Sequence, residues 1–577
     1  MTGAAAPETV RGCWRAVTRL LERDGVRAAF GLPADDLDLL AALDGSGIRL
    51  VVCRDQRNAL FMATGHALQS GATGIAFTGK GPAVTNALTG LLEAKYSAVP
   101  LVLLAAGTAV DRLGAGAFQE ADQLALAAPL VKWAARVDDP GRLAPMLTRA
   151  LLVAREGVPG PVYLELPDHL LTADVPLPED TAHVERPTAL RLDPDADALR
   201  VLRGSERPLL VLGGGVRHRT APGALERFAE RTGAAVFCTA SGRGAFDETH
   251  PQFCGLTGLY LPDEAAGLWE DTDCVLTLGS RLEETATHGW PDTVGHEVPV
   301  VQVNVDAAEF RTGLAGPKVL ADVTALLAGP FGTAPSTGAA PGWTRRVRDV
   351  HHTLHRHHHE RLRDLAAHAD LRIPEVLAAL ADVLPDDLVL VQENGLQDMW
   401  SYRYPVHVSP ARGGSVVPSE QTSLGFGAAA AVGVAVAAPG RPVVALVGDG
   451  AFGLFEPDLP TLAEARLGVL YVVLRNGGYG WLQSQLDQRE PPTTGHRFLS
   501  PEPSRSSTHG LPGLHRLLLD DRAALHAVVE EAWKLCRSGE SVLLDVPVRL
   551  ADSLFHGSAG NGDFPLPSAH APEGDAS

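Results

Sequence analysis

Short apolar runs alternate with longer alanine-rich stretches along most of the chain. Runs at 26–32, 49–53, 73–79, 100–107 and 161–167 mostly end in glycine or another small residue. A second set follows at 207–215, 234–242, 274–281 and 298–306, and a third at 388–395, 443–447, 469–474 and 541–548. Apolar runs of this length bounded by glycine predict strands buried on both faces, and the stretches between them predict helices. Repeated strand–helix alternation predicts an α/β chain of three doubly wound parallel-sheet domains, at residues 1–180, 195–330 and 365–555. The polar, proline-rich stretch 176–193 and the small-residue segment 332–342 predict linkers, and residues 556–577 predict a disordered tail.

Composition narrows the class. At 577 residues the chain is too long for one core. It has 45% hydrophobic residues and no apolar run of 18 or more, which predicts a globular, cytoplasmic protein with no membrane partner. The first 25 residues read as an opening amphipathic helix rather than a signal peptide. Cys13, Cys53, Cys238, Cys254, Cys274 and Cys536 show no CxxC pairing and read as reduced core residues. A net charge of −20 argues against a nucleic-acid partner. The histidines at 351, 352, 355, 357, 358 and 359 could place metal ligands on one helix face, but read better as a solvated polar connector helix.

The densest signal lies between Val443 and Gly480. The apolar run 443–447 ends in Gly448-Asp449-Gly450, a helix-like stretch covers Glu456 to Arg466, and the run 469–474 ends at Asn476. Two parallel strands joined by a right-handed crossover bring both ends to one sheet edge, where open α/β sheets bind ligands. Asp449 and Asn476, 27 positions apart, would then sit side by side. A carboxylate and an amide oxygen suit Mg²⁺, which completes its shell with water and phosphate oxygens. The flanking glycines allow close backbone approach to a diphosphate. A Gly-Asp-Gly turn with an unrelated loop asparagine is the competing reading.

This pattern resembles the thiamine-diphosphate motif of the acetolactate synthase and benzoylformate decarboxylase superfamily, a GDG followed by an Asn-Asn pair. The first asparagine of that pair is Arg475 here. The resemblance implies thiamine diphosphate and Mg²⁺ as cofactors, with the metal held by Asp449, Asn476 and the Gly478 carbonyl. It implies diphosphate contacts from Gly448, Gly450, Gly477 and Gln397. Leu424 matches the bulky residue that bends the cofactor, and the Thr422 carbonyl would accept from its 4′-amino group. The three-block order matches the family's pyrimidine-binding, central and diphosphate-binding domains.

In the first block the family's activating glutamate is Gln56, within an otherwise matching Gln56-x-x-Ala59-x-x-x-Ala63-x-Gly65-x-Ala67 pattern. Glutamine can donate a hydrogen bond but has no proton to give up, so the exchange predicts slow catalysis. Asp55 beside it is expected to point to the other face of a strand end. Residues 79–107 and 116–133 resemble acetolactate synthase text, implying that Gly81 and Asn86 line the cofactor pocket. By the same match Phe118 and Gln119 reach the reactive side, with Lys132 near it. The tryptophan that selects the acceptor in those enzymes is replaced by Gln485, close to Trp481. The flavin-binding text is Ser280 to Thr285, with an acidic pair and no second arginine, which weakens any expectation of FAD. The resemblance implies decarboxylation of a 2-ketoacid donor with transfer to an unidentified acceptor, in a homodimer or homotetramer. The alternative is a cofactor-binding protein with impaired or no turnover.

Overall fold

The computed structural model describes residues 8–32, 37–178, 197–329, 339–410, 413–487 and 510–549, with the side chains of 484–487 left out. The predicted tail and most of both predicted linkers lie outside the described residues.

Each block forms a six-stranded parallel sheet. In the first, the spatial order is Arg49–Val52, Ala28–Gly31, Gly74–Thr78, Leu101–Gly107, Pro161–Pro167, Trp133–Arg136. In the third it is Ser415–Val416, Val389–Gln392, Val443–Gly448, Val469–Arg475, Ser541–Pro547, Leu514–Leu518. Numbered within each block, both sheets run 2-1-3-4-6-5. The middle sheet runs 3-2-1-4-5-6, through Phe253–Leu256, Ala235–Cys238, Pro208–Leu212, Cys274–Leu278, Val300–Asn304 and Lys318–Leu320. Each of the three sheets reverses direction beside its first strand, and the first and third reverse again at their last two strands; the crevice beside the first strand is where such folds take ligands.

Burial explains the continuous apolar runs. In Val469–Arg475, Val469, Tyr471 and Val473 enter one core while Leu470, Val472 and Leu474 enter another. The first of these cores is shared between the first and third blocks. Its centre is a crossing of helix Gln56–Ser70 with helix Phe426–Ala437, made almost backbone to backbone. A Cβ added at Gly433 would lie 1.8 Å from the Met62 carbonyl oxygen, and one at Gly65 would lie 2.3 Å from that of Ala430. No larger residue fits there without parting the helices.

The amphipathic helix expected at the start is Cys13–Arg23, and a short strand, Glu8–Arg11, paired antiparallel with Asp174–Leu177, precedes it. All six cysteines are buried and free. Among the described residues no helix is long and apolar enough to cross a membrane. The histidine segment does form a helix, Pro341–Ala366, but it is not simply solvated. His351 Nδ1 lies 2.8 Å from the Phe253 carbonyl, His355 Nε2 lies 2.8 Å from the Tyr404 hydroxyl, and His357 pairs with Glu264. The amphipathic face that the polar composition obscures is a packing face, and no metal-binding group of three or more His, Cys, Asp or Glu occurs among the described residues.

Candidate active site

Strand Val443–Gly448 pairs with Val469–Arg475 with Gly448 opposite Leu474, so Asp449 and Asn476 leave neighbouring strand ends. Asp449 is buried, and its Oδ2 accepts from the Gly477 N–H at 3.0 Å. Asn476 Oδ1 accepts from the Gly478 N–H at 3.1 Å. Gly477 has φ +80, a conformation that excludes most side chains and lets the chain fold back onto Asp449. The Tyr479 ring lies over Gly450, where an added Cβ would meet it at 2.6 Å. One carboxylate, one amide oxygen and nearby main-chain carbonyls form a hard, weakly charged donor set. That set fits Mg²⁺, since it leaves positions for water and phosphate oxygens.

The other side of this switch point is the loop after Val389–Gln392. Gln397 Nε2 donates to the carbonyls of Glu393 at 2.9 Å and Asn394 at 3.1 Å. Its Oε1 lies 3.5 Å from where a Gly448 Cβ would be, so Gln397 and the GDG turn share one wall. Behind them Glu393, fully buried, accepts from the N–H groups of Gly425 at 3.0 Å and Ala428 at 3.3 Å, at the start of helix Phe426–Ala437. Burial pushes its carboxyl up to about 7, against the pull of those N–H groups. From the first block, Glu93, also fully buried, accepts from Ser419 N–H at 2.6 Å and Ser423 N–H at 3.3 Å. The two carboxylates bracket the loop that carries Thr422 and Leu424. Thr422 has φ +44, a strained conformation for a β-branched residue held by those anchors.

On the first-block side, Gln56 begins helix Gln56–Ser70 and its Oε1 accepts from Asn86 Nδ2 at 2.7 Å. Asp55 does not point away. It caps the helix, accepting from the Arg57 N–H at 2.8 Å, and its Oδ1 lies 3.4 Å from the same Asn86 Nδ2. The turn from strand to helix begins one residue earlier than a strand-end reading allows, which swings the side chain round. Asn58 Nδ2 donates to Asp458 Oδ2 at 2.6 Å and to the Leu454 carbonyl at 3.3 Å, tying the start of this helix to the segment after the GDG turn.

Gly81 and Gln119 meet directly. Both have positive φ, +60 and +56, and an added Gly81 Cβ would lie 2.6 Å from the Gln119 carbonyl oxygen. Buried Gln123 holds this junction: its Oε1 accepts from the Gly81 N–H, and its Nε2 donates to Ala106 O at 3.0 Å and Tyr163 Oη at 2.9 Å. Phe118 is 70% exposed. Lys132 lies elsewhere: its amine donates to the main-chain carbonyls of Glu156 and Val158, and burial lowers its pKa. Arg475, in place of the family's first asparagine, is turned along the sheet to Asp545, which Arg516 also engages. Trp481 is half-buried beside the outer core of the third sheet; the Gln485 side chain is outside the described residues. In the middle block, Arg281 is committed to Glu309 at 2.9 Å and Glu283 at 3.4 Å, at the rim of a cavity of about 200 Å³.

Sequence reasoning missed Glu93, Glu393, Gln123 and Asp458. Each is a buried polar residue with partners outside its own element, from 17 residues away for Gln123 and Ala106 to 404 for Asp458 and Arg54.

The three blocks match known protein domains. Residues 13–126 match the N-terminal TPP binding domain of thiamine pyrophosphate enzymes, 196–329 the central domain, and 393–546 the C-terminal TPP binding domain. The chain belongs to the thiamine-diphosphate-dependent enzyme superfamily and is acetolactate synthase-like. It is 29% identical to the acetolactate synthase isozyme 2 large subunit of Escherichia coli over 487 residues, covering 83% of this chain and 86% of that protein. It is 28% identical to the acetolactate synthase large subunit of Parasynechococcus marenigrum, covering 96% and 90%. A Pseudomonas aeruginosa protein named "Probable 2-ketoarginine decarboxylase AruI" is 30% identical, covering 82% and 83%.

Proposed function

We propose that this chain is a thiamine-diphosphate- and Mg²⁺-dependent enzyme that decarboxylates a 2-ketoacid and passes the acyl unit to an acceptor. The observation that carries the proposal is the Asp449–Asn476 pair at adjacent strand ends of the third sheet. Bound thiamine diphosphate supplies the electron sink for loss of CO₂. Asp449, Asn476 and the Gly478 carbonyl would hold the metal. Gly448, Gly450, Gly477 and Gln397 would line the diphosphate, with Leu424 as the wedge and the Thr422 carbonyl as acceptor for the 4′-amino group. Gln56 would donate to the aminopyrimidine. Gly81, Asn86, Phe118 and Gln119 would wall off the reacting side and exclude water.

The active unit in this reading is a homodimer or a dimer of dimers. Exposed Phe118, with Val110, Leu113 and Leu126 exposed nearby, supports a partner subunit covering this edge. The named functions of the relatives support a 2-ketoacid as the donor. Calorimetric titration of thiamine diphosphate with Mg²⁺, followed by assay of CO₂ release from pyruvate and from basic 2-ketoacids, tests the proposal; absence of cofactor binding sinks it.

A second reading, cofactor binding without turnover, is favoured by one observation: the group at the start of helix Gln56–Ser70 is an amide. The two are separated by Gln56→Glu, described below.

A further inference from the structure

We infer that Asp55 and Asn86 are positioning residues that fix the polarity of Gln56, so that it presents a hydrogen-bond donor and no acceptor to the aminopyrimidine. This rests on the reading above that Gln56 meets that ring.

The polarity is set outward from the charge on Asp55. Asp55 is a carboxylate and can only accept; it takes the Arg57 N–H at 2.8 Å, with the Arg57 guanidinium 3.7 Å away. Asn86 approaches its Oδ1 at 3.4 Å, and only the NH₂ end of the amide is tolerated there. The reverse orientation would set a carbonyl oxygen against the carboxylate. The same NH₂ lies 2.7 Å from the end of Gln56, so Gln56 must turn its carbonyl towards Asn86. With Oε1 committed, the remaining face of the Gln56 amide is Nε2, which makes no hydrogen bond among the described residues. One charge thus sets the direction of two amides in series.

The consequence is chemical. The pyrimidine ring nitrogen N1′ carries a lone pair. A glutamine turned the other way would face it acceptor to acceptor, which costs rather than stabilises. A free glutamine would sample both orientations and lose part of the interaction. Held by Asn86, it offers two N–H groups and no titrating proton, so recognition of N1′ here depends on the polarity of a relay instead of on the pKa of an acid.

The test is calorimetric titration, with Mg²⁺, of thiamine diphosphate and of an analogue in which N1′ is replaced by C–H. The inference predicts that the wild type prefers the natural cofactor by roughly five- to tenfold, the worth of one net neutral hydrogen bond. Asn86→Leu should reduce that preference to under about twofold, the ratio of the two affinities being the readout whatever the variant does to both together. Asp55→Ser, which keeps a helix cap but removes the charge, should also reduce it. Equal binding of the two ligands by the wild type, or an unchanged preference in both variants, overturns the inference and leaves the cofactor reading standing. Failure of the wild type to bind either ligand overturns the cofactor reading and the inference with it.

Discussion

Replacing Gly433 by alanine tests whether the crossing of helices Gln56–Ser70 and Phe426–Ala437 holds the two halves of the site in place. The added Cβ would lie 1.8 Å from Met62 O, 2.7 Å from Met62 C and 2.8 Å from His66 N. These are main-chain atoms, so no side chain can rotate away. Reaching the 3.4 Å of ordinary contact requires the helices to part by about 1.6 Å at that point. Overpacking of this kind costs about 1–3 kcal/mol. The helix propensity gained by replacing glycine returns up to about 1 kcal/mol. The net prediction is a loss of about 1–2 kcal/mol, read as a lower midpoint in thermal and urea unfolding. Because Gln56 starts one of these helices and Leu424 precedes the other, activity should fall by more than the stability, up to about 10²-fold. Gly342→Ala is the control: that position also lies in a helix, but an added Cβ meets nothing within 4 Å. A Gly433→Ala protein with wild-type unfolding and turnover would refute the claim that this contact positions the site.

Three further outcomes are expected. Burial raises Glu393 from 4.5 to about 7, so its contribution to stability is full below pH 4.5 and is lost as pH rises through 7. At 1.36 kcal/mol per pKa unit the loss is on the order of 3 kcal/mol; Glu393→Gln should flatten the fall in urea midpoint between pH 5 and 8, and an unchanged slope would contradict this. Gln123→Leu leaves the Gly81 N–H, Ala106 O and Tyr163 Oη without their buried partner, and should cost about 2–4 kcal/mol with faster hydrogen exchange at Gly81. Gln56→Glu should raise 2-ketoacid decarboxylation by about 10²-fold or more if the chain is an enzyme, as general acid–base groups contribute; bound cofactor with no turnover on any 2-ketoacid would favour the non-catalytic reading.

What the sequence made legible follows from where the information lies. The strands expected at 443–447 and 469–474 appear at Val443–Gly448 and Val469–Arg475, because a doubly buried parallel strand announces itself as a short apolar run. The helix expected from Glu456 to Arg466 is a short turn, Glu456–Asp458, followed by helix Leu459–Ala465. Pro457 and Pro460 lack the N–H groups a continuous helix needs. The Asp55 cap was legible in principle, since aspartate before a helix is a start signal; reading the strand one residue too far concealed it. Glu93 and Glu393 were not legible, because their distant partners are main-chain N–H groups. Glu93 and Ser419 are 326 residues apart in sequence, and no residue type marks an amide as their acceptor's partner. The histidine helix shows the converse: composition suggested solvent, whereas three of its rings face neighbouring segments.

The most direct test of the metal and diphosphate site is titration of thiamine diphosphate into wild type and Asp449→Ala, each with and without Mg²⁺. The site described here predicts binding that needs Mg²⁺ in the wild type and is lost in Asp449→Ala. Binding that ignores Mg²⁺, or that survives unchanged in Asp449→Ala, would contradict it.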